Sequence, residues 1–207
     1  MVSMKKLFLF DFDGVIVDSL ALYEETTRRC FEAIGKSITQ NHGDFLDLFD
    51  ENFYTAIHKR GVEIDEFTRA VQVIAPTIDY SGVTAFDGLK PVLQTLKNDS
   101  NILIVSSNTQ HAITAILSRI KWNGCFDEIL GADFLLSKVK KIAHAIERWR
   151  TPQEKTFFVG DTTGDIVEAK EAGVRTIAVT WGWHSRERLT KVNPDYLIDF
   201  PRDLLCI

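Results

Sequence analysis

The sequence predicts an α/β fold: a parallel sheet covered by helices on both faces, with a small all-α domain inserted after the first strand. Three observations predict it. Short continuous apolar runs alternate with helical patterns along most of the chain. Acidic or hydroxyl residues stand where several of those runs end. One long stretch near the N-terminus is helical throughout and interrupts the alternation.

Residues 7–10, Leu-Phe-Leu-Phe, read as a first buried strand ended by Asp11. Residues 102–105, 157–159 and 176–179 are apolar runs of the kind found in sheets buried on both faces. Residues 196–198 and 128–130 are weaker strand candidates. Between them, residues 88–97 place Leu89, Val92, Leu93 and Leu96 at helical spacing, and residues 112–120, 139–149 and 165–172 continue the alternation. Such repetition gives a three-layer, Rossmann-like core, in which functional groups collect at the carboxyl ends of the strands. From 18 to 85 no strand is expected. Helices over 20–34, 44–59 and 63–74, punctuated by Gly61, Pro76 and Ser81-Gly82, suggest a cap domain (18–85) joined by two crossings to a core of 1–17 and 86–207.

A hydrophobic content of 45% supplies a core for one such domain and its insertion. The net charge of −5 gives no basic footprint for nucleic acid, so an anionic substrate must be gathered by a local site or a metal ion. Cys30, Cys125 and Cys206 are odd in number, far apart and in no metal-ligand spacing, which fits a reducing compartment. The apolar stretch near the start ends after four residues at Asp11, too short for a signal core, and no run approaches a membrane span. A cytoplasmic location is the expectation.

Four features at the strand ends can carry chemistry. The first is Asp11-Phe12-Asp13-Gly14, where two acids against an apolar strand are unfavourable without a cation or hydrogen-bond donors, and where glycine lets the backbone turn and approach a ligand. It is not a calcium loop, because Leu22 stands where the terminal Glu is needed. The second is Ser106, whose hydroxyl can hold a phosphate oxygen, while Asn108 is placed to cap the next helix. The third is Lys138 after Ser137. If Ser137 caps a helix, the lysine sits in a first turn where the dipole disfavours a cation unless an anion binds there. A solvated surface role beside Lys140 and Lys141 fits the spacing equally well. The fourth is Gly160-Asp161-Thr162-Thr163-Gly164-Asp165, in which Thr162 and Asp165 can form a capping box that leaves Asp161 unexplained.

Taken together and in this order, the four features resemble the haloacid dehalogenase-like hydrolase superfamily, in particular its phosphoglycolate phosphatase-like members with a helical cap after the first motif. The resemblance rests on D-F-D-G-V-I-V-D-S at 11–19, I-V-S at 104–106 and G-D-T-T-G-D at 160–165, with F-D-G-L-K-P-V-L at 86–93 and V-T-W-G-W at 179–183. It departs at the lysine: many relatives have Gly-Lys-Pro where this chain has Ser137-Lys138-Val139, which leaves Lys141 as the fallback.

The resemblance implies a phosphatase acting on a small phosphate monoester, with Asp11 as nucleophile forming an aspartyl-phosphate and Asp13 as general acid and base. It implies Mg²⁺ held by the Asp11 side chain, the Asp13 backbone carbonyl, Asp161 and Asp165, with Ser106 and Lys138 binding the transferring phosphoryl group. A sugar-phosphate mutase keeps the same acids and is the alternative. A phosphorylatable receiver fits less well, because its accepting acid follows a middle strand; a catalytically silent binding protein on this fold would not need all four features. Gly35-Lys36-Ser37 is no P-loop, with Cys at 30 and a helix before it. His58-Lys59-Arg60 before Gly61 reads as a cationic helix end rather than a substrate clamp, and His42, His111, His144 and His184 have no metal-site spacing.

Overall fold

A computed structural model describes residues 5–207. In chain order its elements are β1 (Lys6–Phe10), β2 (Val17–Asp18), α1 (Leu20–Ala33), α2 (His42–Leu46), α3 (Phe53–Lys59), α4 (Ile64–Ile74), β3 (Thr84–Ala85) and α5 (Leu89–Leu96). There follow β4 (Ser100–Val105), α6 (Gln110–Arg119), β5 (Glu128–Leu130), α7 (Lys138–Trp149), β6 (Thr156–Gly160), α8 (Thr163–Glu171), β7 (Arg175–Val179), α9 (Arg186–Thr190) and β8 (Tyr196–Ile198). All six strands expected from the sequence form one sheet in the order β5-β4-β1-β6-β7-β8, and every neighbouring pair is parallel.

The apolar run of β1 explains the layering. Successive side chains of a strand point to opposite faces. Leu7 and Leu9 enter one core with Leu103, Val105, Phe158 and the helical residues Ile142, Ala145 and Ala169. Phe8 and Phe10 enter the other with Ile102, Ile104, Val159 and Leu89, Leu93, Ile113 and Ile116. Phe8 sits opposite both Ile102 and Phe157, and its ring stacks on Phe157 at 5.1 Å between centroids. The central position of β1, with α7 and α8 on one face and α5 and α6 on the other, puts Asp11 at the middle of the sheet's carboxyl edge.

The stretch between β2 and β3 is helical, with its own core of Phe31, Phe45, Leu48, Phe53, Ile57 and Phe67 among others. Two expectations need correction here. Residues 44–59 are not one helix: α2 and α3 are separated by a 3₁₀ turn, Asp47–Phe49, and residues 50–52. Two asparagines start separate helices, Asn41 accepting from the Asp44 N–H, and Asn52 from those of Tyr54 and Thr55. The stretch also carries short strands at its ends: β2 and β3 pair antiparallel, Val17 opposite Ala85, so the chain leaves and re-enters the core side by side. The His58-Lys59-Arg60 run does end α3, where the Arg60 side chain hydrogen-bonds the Ala56 carbonyl and Lys59 pairs with Glu51. Among the described residues no helix is long and apolar enough to cross a membrane.

Candidate active site

The loops that follow β1, β4 and β6, together with the first turns of α7 and α8, converge on one cleft. Asp11 leaves the end of β1 buried, its backbone N–H still bound to Val159 of the neighbouring strand. Gly14 makes the turn behind it. Its φ of +80° favours glycine, and a Cβ there would lie 2.0 Å from Asp161 Oδ2. The turn thus brings the first acidic motif against the last.

Lys138 is the first residue of α7, and Ser137 caps that helix by accepting the Lys140 N–H at 3.3 Å. The Lys138 ammonium, 5% exposed as a residue, donates to Asp11 Oδ2 at 2.8 Å and to Asp165. Its backbone N–H donates to Glu168 at 2.9 Å. Lys138 is therefore no surface residue; the carboxylates it faces offset the unfavourable dipole position. Burial works against its charge, but Asp11, Asp165 and Glu168 outweigh that and raise its pKa. Lys141 goes elsewhere. Fully buried, it donates to the carbonyls of Ser106 and Gly131, tying the loops after β4 and β5 together. Burial, with the Lys138 charge second, lowers its pKa to about 7.

Thr162 and Asp165 form the expected capping box on α8, and Asp165 also accepts from the Thr162 hydroxyl at 2.8 Å. Asp161 is wholly buried. One of its oxygens accepts the Trp183 N–H at 2.7 Å, and the other, Oδ1, has no hydrogen-bond partner. Carboxylate oxygens of Asp11, Asp161 and Asp165 lie within 4.8 Å of one another. Burial raises the Asp11 carboxyl to about 7 even with Lys138 pulling it down, and burial followed by the charges of Asp165 and Asp11 raises Asp161 well above the usual range. A buried oxygen without a partner and three crowded acids beside one ammonium lack positive charge. An all-oxygen donor set of this kind fits a hard cation.

Asp13 is fixed on both oxygens, by the Ser19 hydroxyl at 2.6 Å and by Asn108 Nδ2 at 3.1 Å. Burial raises its pKa against those two hydrogen bonds. Asn108 is not the helix cap expected: Thr109 caps α6, accepting from Ala112, while Asn108 Oδ1 accepts the Thr109 N–H and its Nδ2 is engaged with Asp13. Ser106, 1% exposed, accepts the Asn108 N–H at 3.0 Å and lines the same cleft as Asp11, Asp13 and Lys138.

Sequence reasoning missed Ser19, Asn108 and Trp183 as parts of the site. Ser19 and Trp183 lay inside quoted motifs without a role, and Asn108 carried only the capping signal. Trp183 is a joint between the two parts of the chain. Its backbone holds Asp161, while its ring enters the core of the helical stretch, 4.8 Å from Phe49 and 5.3 Å from Tyr23. His184 beside it accepts the Thr163 N–H at 3.0 Å, and its Nε2 lies 3.1 Å from the Leu46 carbonyl oxygen. Arg188 pairs with Asp47 and Asp50, and Asn52 donates to Glu168 at 3.1 Å. Gly164 packs tightly against the helical stretch: a Cβ there would lie 2.5 Å from the Glu51 carbonyl oxygen.

An open parallel sheet with buried acids and the Lys138 ammonium gathered at its carboxyl edge defines an α/β protein with a charged site at its strand ends. Residues 8–179 match the model of the haloacid dehalogenase-like hydrolases, and the chain belongs to that family. It is 28% identical over 200 residues to a phosphoglycolate phosphatase of Synechococcus elongatus, covering 95% of this chain and 94% of that protein. It is 25% identical to a pyrophosphatase of Oceanobacillus iheyensis, covering 98% and 96%. A haloacid dehalogenase-like hydrolase from Streptococcus pneumoniae superposes with a TM-score of 0.78 at 20% identity, covering 99% of each chain.

Proposed function

We propose that the chain is a Mg²⁺-dependent phosphatase that removes phosphate from a small monoester through an aspartyl-phosphate on Asp11. The observation that carries this reading is the buried Asp11–Asp161–Asp165 cluster, with one Asp161 oxygen unpartnered and Lys138 against Asp11. The phosphatase and pyrophosphatase named among its relatives support it.

Asp11, Asp161, Asp165 and the Asp13 backbone carbonyl would hold the ion, which when bound neutralises phosphate charge and keeps Asp11 ionised. Asp11 attacks phosphorus, forming the P–O bond as the ester P–O bond breaks. Asp13 gives its proton to the departing oxygen, a task that its burial-raised pKa suits. Water then attacks the aspartyl-phosphate and yields its proton to Asp13, releasing phosphate and restoring Asp11. Lys138 and Ser106 bind the phosphoryl oxygens as charge spreads over them. In this reading the helical residues 18–85 act as a cap that excludes bulk water and meets the leaving group, with β2 and β3 as the two crossings.

The test is phosphate release from a panel of phosphorylated metabolites, with Mg²⁺ and with excess chelator, while hexose phosphates are also checked for isomers. Release that requires Mg²⁺ is expected. Full activity in chelator, or isomer formation without phosphate release, would refute the reading.

A further inference from the structure

Beside the acidic cleft lies a second cavity, of about 80 Å³, between α1 and α4 on one side and the start of α6 on the other. The two spaces share Asp13, Tyr23 and Ser107. Asp13, the group proposed to reach the departing oxygen, lines both spaces, so a leaving group that passes Asp13 enters this second space.

The walls differ sharply in character from the cleft. Leu22, Phe67, Val71, Ile78 and Ile116 supply an apolar surface, interspersed with neutral polar groups that include the hydroxyls of Thr26, Thr27, Tyr54 and Tyr80 and the Asn108 amide. Asp13 is the sole charged side chain among the described residues lining it, and no lysine or arginine is there. The one cationic side chain lining the cleft, Lys138, faces Asp11 and Asp165 and, with the proposed Mg²⁺, serves the transferring phosphoryl group rather than the leaving group. A carboxylate or second phosphate on the leaving group would thus be buried beside Asp13 without a positive partner, which is strongly unfavourable.

We infer, on the basis of the phosphatase reading above, that the substrate is the phosphate monoester of an uncharged alcohol with a mainly apolar body. Substrates with anionic leaving groups, such as the ester phosphoglycolate and the anhydride pyrophosphate, are disfavoured. The cavity of about 80 Å³ sets an upper limit on the length of that body. The names of the relatives therefore do not carry over to this chain's specificity.

The test is kcat/KM for phosphate release from ethyl, butyl, hexyl and octyl phosphate, phosphoglycolate, pyrophosphate and glucose 6-phosphate, all with Mg²⁺. The alkyl series should rise by about fourfold per buried methylene and level off near the length that fills the cavity. Hexyl phosphate should exceed phosphoglycolate and glucose 6-phosphate by more than about tenfold, as apolar walls and an unpaired anion demand. A Val71→Lys variant should move the ratio of phosphoglycolate to hexyl phosphate at least about tenfold towards the acid; should it fail to fold, the wild-type series still decides. Preference for phosphoglycolate, pyrophosphate or the sugar phosphate, or a flat alkyl series, overturns this inference and leaves the phosphatase reading intact. No Mg²⁺-dependent hydrolysis of any ester overturns both.

Discussion

The Lys138 ammonium lies 2.8 Å from Asp11 Oδ2, although 127 residues separate them in the chain. The contact requires α7 to begin where β1 ends, and the parallel order that places β1 between β4 and β6 provides it. Both partners are buried, and Asp11 has this ammonium as its counter-charge, while Lys138 is shared with Asp165.

Replacing Lys138 by Met keeps most of its aliphatic volume and removes the charge. On the proposed mechanism kcat should fall by about 10²–10³, the scale of losing one preorganised donor at a charged transition state. Steady-state kinetics on any accepted ester checks this. The Lys141→Met variant provides the contrast: losing its bonds to the Ser106 and Gly131 carbonyls should chiefly lower the melting temperature, because its hydrogen bonds go to those carbonyls rather than to Asp11.

Gly14→Ala combines a positive φ with a Cβ 2.0 Å from Asp161. The backbone strain alone is worth about 1–3 kcal/mol, and relief of the clash must displace Asp161. Denaturant unfolding should show that loss, and calorimetry should show weakened Mg²⁺ binding. Unchanged stability and unchanged Mg²⁺ affinity would contradict the packing described.

Gly164→Ala tests the contact between the helical stretch and the core. A Cβ there meets backbone atoms of Glu51 and Phe49, which cannot rotate away as a side chain could. The helical stretch must lift, so kcat/KM should drop by about tenfold or more while Mg²⁺ binding to the acids persists. Equal loss of both would place the defect in the acidic cluster instead.

Metal and protons should compete at the acids. In the metal-free chain the folded Asp11 carboxyl titrates at about 7, against 3.8 for a free side chain, because burial disfavours its charge. Between those values the folded state holds a proton that the unfolded state has released, so this group favours folding more as pH falls from 7 towards 4. Above 7 the buried charge carries its full penalty. Mg²⁺ needs the ionised form, so the rise in melting temperature on adding it should be larger at about pH 8 than at about pH 5.5. Equal rises at the two pH values would count against binding at these carboxylates.

The sheet was legible in the sequence because its strands are apolar on both faces, as in Leu7 to Phe10, where alternate residues feed two different cores. The acids Asp11, Asp13, Asp161 and Asp165 were legible because each follows such a run within a few residues. Lys138 was ambiguous for a physical reason: spacing alone does not separate a lysine in a first turn facing solvent from one facing an acid on a distant strand. Of the donors on Asp13, Ser19 lies only six residues away, but spacing does not show which way its hydroxyl turns. Asn108 reaches Asp13 across the fold, and an asparagine before a helix also reads as a cap. The break between α2 and α3 was hidden by apolar residues that keep helical spacing through it, while Asn52 and the packing of residues 49–51 on Gly164 impose the turn.

The central claim is that Asp11 carries the phosphoryl group. The most direct measurement uses the Asp13→Asn variant, which cannot supply the base for the second step. It would be mixed with p-nitrophenyl phosphate, whose leaving group needs little protonation, then quenched in acid and mapped by mass spectrometry. A phosphoryl group on the peptide containing Asp11, absent from the Asp11→Asn,Asp13→Asn double variant, is the result expected. Phosphorylation of another residue, or wild-type turnover by Asp11→Asn alone, would contradict it.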